Sequence, residues 1–61
     1  MDTMPALFAK VRLNRGGDVY LVVDLDLDRK LVELVSITWS GRLIRELPCA
    51  AIHELVEGPP G

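Results

Sequence analysis

Three sets of residues in this 61-residue chain have types and spacings that could do chemistry. Asp24, Asp26 and Asp28 alternate along an apolar run. Alternate residues of a strand point the same way, so the carboxylates would share one face and offer oxygen ligands to a hard cation. The spacing matches the opening of an EF-hand loop. The match then fails: Arg29 stands where that loop needs glycine, and Val35 where it needs a bidentate acid. The row reads as a solvated strand face that discourages edge-to-edge pairing. Cys49 and His53 stand four apart, and a thiolate–imidazole pair can make a nucleophile. The company of Cys49 is Leu47, Ala50, Ala51 and Ile52, which suits a buried small hydrophobe with an ordinary thiol. His53 reads as a surface residue of the last strand. Gly16-Gly17 is followed by no Lys-Ser or Lys-Thr and by no helix, so it reads as a turn and not as a phosphate loop.

Aromatic and basic side chains give the candidate binding residues. Small barrels of the SH3 and Tudor kinds bind Pro-rich peptides or methylated cations on exposed rings. Tyr20 and Trp39 could do this here, with Arg42 and Arg45 as polar partner contacts. Phe8 is the only other ring, so an aromatic cage of three or four rings in one place is not expected. Trp39 at a hairpin end equally suits capping the core or sitting in a subunit contact. Net charge is −2 and the sequence pI is about 5.1. That balance disfavours a nucleic-acid partner, which prefers a basic surface. A local basic patch would need the strands to bring Arg12, Arg42 and Arg45 together.

These residues must be positioned by strands. After a lead-in over 1–6, in which Pro5 disfavours helix at Met4, Leu7, Ala9, Val11 and Leu13 alternate with Phe8, Lys10, Arg12 and Asn14. Asn14 to Asp18 is a turn. Val19, Leu21, Val23, Leu25 and Leu27 then alternate with Tyr20, Val22, Asp24, Asp26 and Asp28, the clearest strand signal in the chain. Asp28-Arg29-Lys30 predicts a type I turn. The third strand, Leu31 to Trp39, changes apolar phase near Val35, which predicts a β-bulge there. Ser40-Gly41 makes a hairpin into Arg42 to Leu47. Pro48 to Ile52 has the length of one 3₁₀ turn, Ile52 to Val56 a short last strand, and 58–61 a solvated tail. The predicted fold is all-β: a small SH3-like five-stranded barrel over 7–57 with a 3₁₀ turn before the last strand. The OB alternative usually needs a longer chain.

So short a chain has a marginal core. Cys49 is the only cysteine, which excludes a disulfide within the chain, and Cys49 and His53 are too few for a structural zinc site. No cofactor and no metal ligand set are expected. Yet 49% of the residues are hydrophobic. If the odd parity of the long strand fills the barrel, Val22, Val32, Leu34 and Ile44 face outward as a sticky surface, which predicts a homo-oligomer built on those four residues. No apolar run approaches the ~18 residues of a membrane span. Met1 to Ala9 carries Asp2 and no basic start, unlike a secretory signal, and a free cysteine fits a reducing cytoplasm.

Val11-Arg12-Leu13-Asn14-Arg15-Gly16-Gly17 followed by Val22-Val23-Asp24 resembles the opening of the small bacterial proteins of the YodC type. Trp39, Ser40-Gly41, Arg42 to Leu47 and Pro48 to Ile52 follow in that family's order. The resemblance covers roughly residues 7 to 56, implies an SH3-like barrel and brings no catalytic residues with it. Pro48-Cys49-Ala50-Ala51-Ile52 is also similar to the end of the plasmid-borne, trimethoprim-resistant dihydrofolate reductases, which are SH3-like barrels assembled around a pore. Their Val-Gln-Ile-Tyr stretch is replaced by Ile44-Arg45-Glu46-Leu47, so their chemistry does not carry over. The expectation from sequence is a non-enzymatic interaction module that binds a protein partner or itself. The alternatives are a nucleic-acid-associated regulator and a small oligomeric pore enzyme.

Overall fold

The structure, a computed structural model, describes residues 4–38 and 41–60. Five strands and one 3₁₀ turn follow in chain order: β1 (Lys10–Arg12), β2 (Val19–Asp26), β3 (Leu31–Ser36), β4 (Leu43–Pro48), the turn Cys49–Ala51, and β5 (Glu54–Glu57). All pairings are antiparallel, and the strands lie in one sheet in the order β4-β3-β2-β1-β5. The all-β class and the 3₁₀ turn before the last strand are as the sequence predicts. No ladder joins β4 to β5 among the described residues, so the sheet is barrel-like only loosely. Trp39, Ser40, the start of the lead-in and Gly61 lie outside the described residues.

The first strand is shorter than its alternation predicts. The Ala9 N–H donates to the Ala6 carbonyl at 3.1 Å, closing a turn with Leu7 and Phe8 at its tip. Phe8 takes φ 67 there, a conformation usually left to glycine or asparagine. The Val22 N–H donates to the Ala9 carbonyl, and the Phe8 N–H to the Val22 carbonyl, so the chain enters β1 already paired to β2.

Register assigns the faces. Val11 pairs with Tyr20, Tyr20 with Ser36, Val22 with Leu34, and Leu34 with Ile44. These residues point inward: Ala9, Val11, Tyr20, Val22, Val32, Leu34 and Ile52 form the core, with Met4, Leu13, Leu25, Ile44 and Leu47 packed against it. The expected outward face is therefore the wrong one. Val22 and Leu34 are fully enclosed, Val32 is 2% exposed, and Ile44 is half-buried against them. The reason lies in their neighbours. Lys10, Arg12 and Glu33 carry full charges and must face water, which forces Val11, Val32 and Leu34 inward together with whatever pairs with them.

Two register shifts flank Glu33, and neither falls on β3, whose burial alternates without a break. The bulge expected near Val35 is instead on β2, where one residue is added between Val22 and Asp24. A second is on β4, where Leu34 pairs with Ile44 but Val32 pairs with Leu47. Each extra residue reverses the parity of its strand. On β2 the reversal turns Asp24 and Asp26 outward and lets Leu25 pack against the core. On β4 it brings both Ile44 and Leu47 to the inner face although they are three apart, with Glu46 at φ 53.

Candidate functional site

Two features of the outer sheet surface could bind something. The first is an apolar block built by the same register that fills the core. Leu21 pairs with Val35 on one side and with Lys10 on the other, and Val35 pairs with Leu43. One step along the strands, Val19 pairs with Arg12, and the Ile37 N–H donates to the Val19 carbonyl at 2.9 Å. Val19, Leu21, Val35, Ile37 and Leu43 thus adjoin one another on the solvent side. Val19, Leu21 and Val35 are half-buried by their neighbours, while Ile37 and Leu43 are 46% and 47% exposed.

Charges border the block. Lys10 Nζ donates to Glu57 Oε2 at 3.0 Å, and Arg12 Nη1 to Glu54 Oε1 at 3.1 Å, two bridges between β1 and β5. Arg12 Nε is buried and meets no acceptor among the described residues. On the opposite border Asp24 pairs with Glu33, and Glu33 Oε1 lies 3.4 Å from Arg45 Nε.

The second feature is a depression of about 510 Å³ beside that border, lined by Asp24, Asp26, Glu33, Glu46, Arg29 and Arg45 over Leu25, Leu31 and Val32. The two bulges, on β2 and β4 to either side of Glu33, border it. Arg29 Nη1 lies 3.6 Å from Glu46 Oε1. Asp26 Oδ1 accepts the Arg29 N–H at 3.1 Å and so shapes the β2–β3 turn, while Asp24 Oδ1 accepts the Leu25 N–H at 2.9 Å. The predicted acidic row is therefore divided: Asp24 and Asp26 stay on the sheet, and Asp28 lies in the turn. No group of three or more His, Cys, Asp and Glu is arranged to hold a metal ion among the described residues.

The other residues singled out from sequence are scattered. Tyr20, expected as a ligand contact, is 9% exposed and belongs to the core, because its partner across β1 is the inward Val11. Trp39 lies outside the described residues. Arg42 is exposed, and its carbonyl accepts the Ser36 N–H at 2.8 Å. Arg45 is on β4 and Arg12 on β1, with β3 and β2 between them, so the sheet does not bring together the residues a local basic patch would need. Cys49 is buried and His53 exposed. Ser36, a buried hydroxyl that the sequence reading passed over, donates to Asp18 Oδ2 at 3.0 Å and ties the β1–β2 turn to β3. No helix among the described residues is long and apolar enough to cross a membrane.

The fold and these surfaces define a small, open, all-β module. Comparison with protein-family models, with curated proteins and with solved structures gives no match.

Proposed function

We propose that this chain is a protein-interaction module whose binding surface is the outer face of β2, β3 and β4. One observation carries the reading: Val19, Leu21, Val35, Ile37 and Leu43 form a contiguous apolar block on the solvent side of the sheet. Isolated exposed apolar residues need no explanation, but a contiguous block with a charged border has the anatomy of a contact surface. The core offers no competing use for these side chains, because the opposite parity already fills it. The total accessible surface of 4122 Å² is close to the ~4,000 Å² expected of a compact monomer of this mass. The block is thus surplus to a finished core and not part of an unfinished one.

The test is capture on immobilised chain, comparing wild type with Ile37→Glu and Leu43→Glu. Both side chains are exposed, so the variants should fold, as circular dichroism would show. A polypeptide retained by wild type and lost from either variant supports the reading. Retention that survives both, or no retention by wild type, overturns it.

A further inference from the structure

We infer that the partner of this face is a second copy of the chain, packed sheet against sheet about a twofold axis that pairs Lys10 with Asp24 and Arg12 with Glu33. The inference rests on the interaction-module reading and adds the identity and orientation of the occupant.

The positions on the outer face follow from register. From Leu21, Lys10 is one strand away toward β1 and Val35 one strand away toward β3. Asp24 is one same-face step along β2 toward the β2–β3 turn, and Val19 one step the other way. The diagonal neighbours are Arg12 beside Val19 toward β1, Ile37 beside Val19 toward β3, and Glu33 beside Asp24 toward β3. Neighbouring strands stand ~4.8 Å apart, and same-face residues along one strand ~6.7 Å.

A symmetric face-to-face pair needs a twofold axis lying in the interface. Four simple directions pass through Leu21. With the axis along the strands, Asp24 meets Asp24 of the second copy. With the axis across the strands, Lys10 meets Lys10 of the second copy. One diagonal sets Lys10 on Val19 and buries Asp24 against Val35. The other diagonal exchanges the strand and cross-strand directions the opposite way. Lys10 then meets Asp24 of the second copy, Arg12 meets Glu33, and Val35 meets Val19. Leu21 and Ile37 each meet their own mates on the axis. The two spacings differ by ~2 Å per step, which long side chains absorb. Sheets crossing near a right angle are one of the two favoured packings.

Of the four directions, only this one sets apolar on apolar and opposite charge on opposite charge throughout the centre. It also gives Asp24 a cation, since its carboxylate has no ion pair among the described residues. At the rim the same rotation brings Glu57 toward Asp26 of the second copy, a local repulsion. The exposed Leu55 and Val56 of β5 lie outside this footprint. So does Leu43 on β4.

Sedimentation of the full chain across micromolar to millimolar concentration tests this. Wild type should approach twice 6.8 kDa. Lys10→Glu and Asp24→Lys should each weaken association about tenfold or more, because symmetry doubles every like-charge contact. The double variant Lys10→Glu/Asp24→Lys should return to within about threefold of wild type. Asp26→Asn should strengthen association by about twofold. A mass of 6.8 kDa at every concentration, or a double variant no tighter than the singles, overturns the self-docking. A monomeric chain that still retains another polypeptide through Leu43 would overturn this inference alone and leave the module reading standing.

Discussion

The assignment of faces can be tested with two valines that differ only in the side of the sheet they occupy. Val22 on β2 is fully enclosed between Leu34 and the rest of the core, while Val35 on β3 stands half-buried on the outer face. Val22→Ala removes two methylene equivalents, about 1.6 kcal/mol at ~0.8 kcal/mol each. Incomplete collapse around the vacancy raises this to about 2–3 kcal/mol. Val35→Ala exposes no new cavity and should cost below about 1 kcal/mol. Both changes lose the same strand preference, so that term cancels in the difference. For 61 residues the total stability is on the order of 3–9 kcal/mol, so the inner substitution removes a large share of it. Urea titration followed by circular dichroism reads the result. With a slope of about 1 kcal/mol per molar, Val22→Ala should lower the midpoint by about 2 M and Val35→Ala by less than 1 M. Low micromolar protein keeps self-association out of the measurement. A larger shift for Val35→Ala than for Val22→Ala would refute the face assignment and everything built on the outer block.

Four further outcomes follow from local geometry. Lys30 takes φ 55 in the β2–β3 turn and is exposed, so Lys30→Gly should raise stability by about 0.5–1 kcal/mol in the same titration. Gly41→Ala should lower it by about 1 kcal/mol through backbone strain alone, since Gly41 has φ 63 and a methyl group would meet nothing within 4 Å. Ser36→Ala should cost about 1–1.5 kcal/mol, because it removes the buried hydroxyl bonded to Asp18. Removing the solvent-exposed Lys10–Glu57 bridge by Glu57→Gln should change stability by less than about 1 kcal/mol, again by urea midpoint.

Strand existence was legible because hydrophobic alternation reports it directly: β2, β4 and β5 lie within two residues of where the pattern places them, and β3 starts at the expected Leu31 but ends at Ser36. The first strand begins later because the Leu7-Phe8 turn looks, by composition, like more strand. The face was misread for a specific reason. The Val19–Leu27 run is apolar on both parities at its start, so its own pattern cannot say which side is inside. The answer was in β1 and β3, where Lys10, Arg12 and Glu33 leave one inward choice. The even positions of β2 also change from Tyr20 and Val22 to Asp24 and Asp26, which marks a parity reversal and hence the bulge. The bulge on β4 had a similar trace, since Ile44 and Leu47 are three apart in a strand where inward residues should be two apart. The outer block was the hardest to see. It depends on which residues of three strands share a row, and rows are fixed by register, to which a single strand's alternation is blind.

The most direct test of self-docking through the outer face is an isotope-filtered nuclear Overhauser measurement on an equal mixture of labelled and unlabelled chain at millimolar concentration. The predicted result is intermolecular contact between the methyl groups of Leu21 and of Ile37 with their own mates, and between Val35 and Val19. Intermolecular contacts confined to Leu55 and Val56 on β5, or none at any concentration, would contradict it.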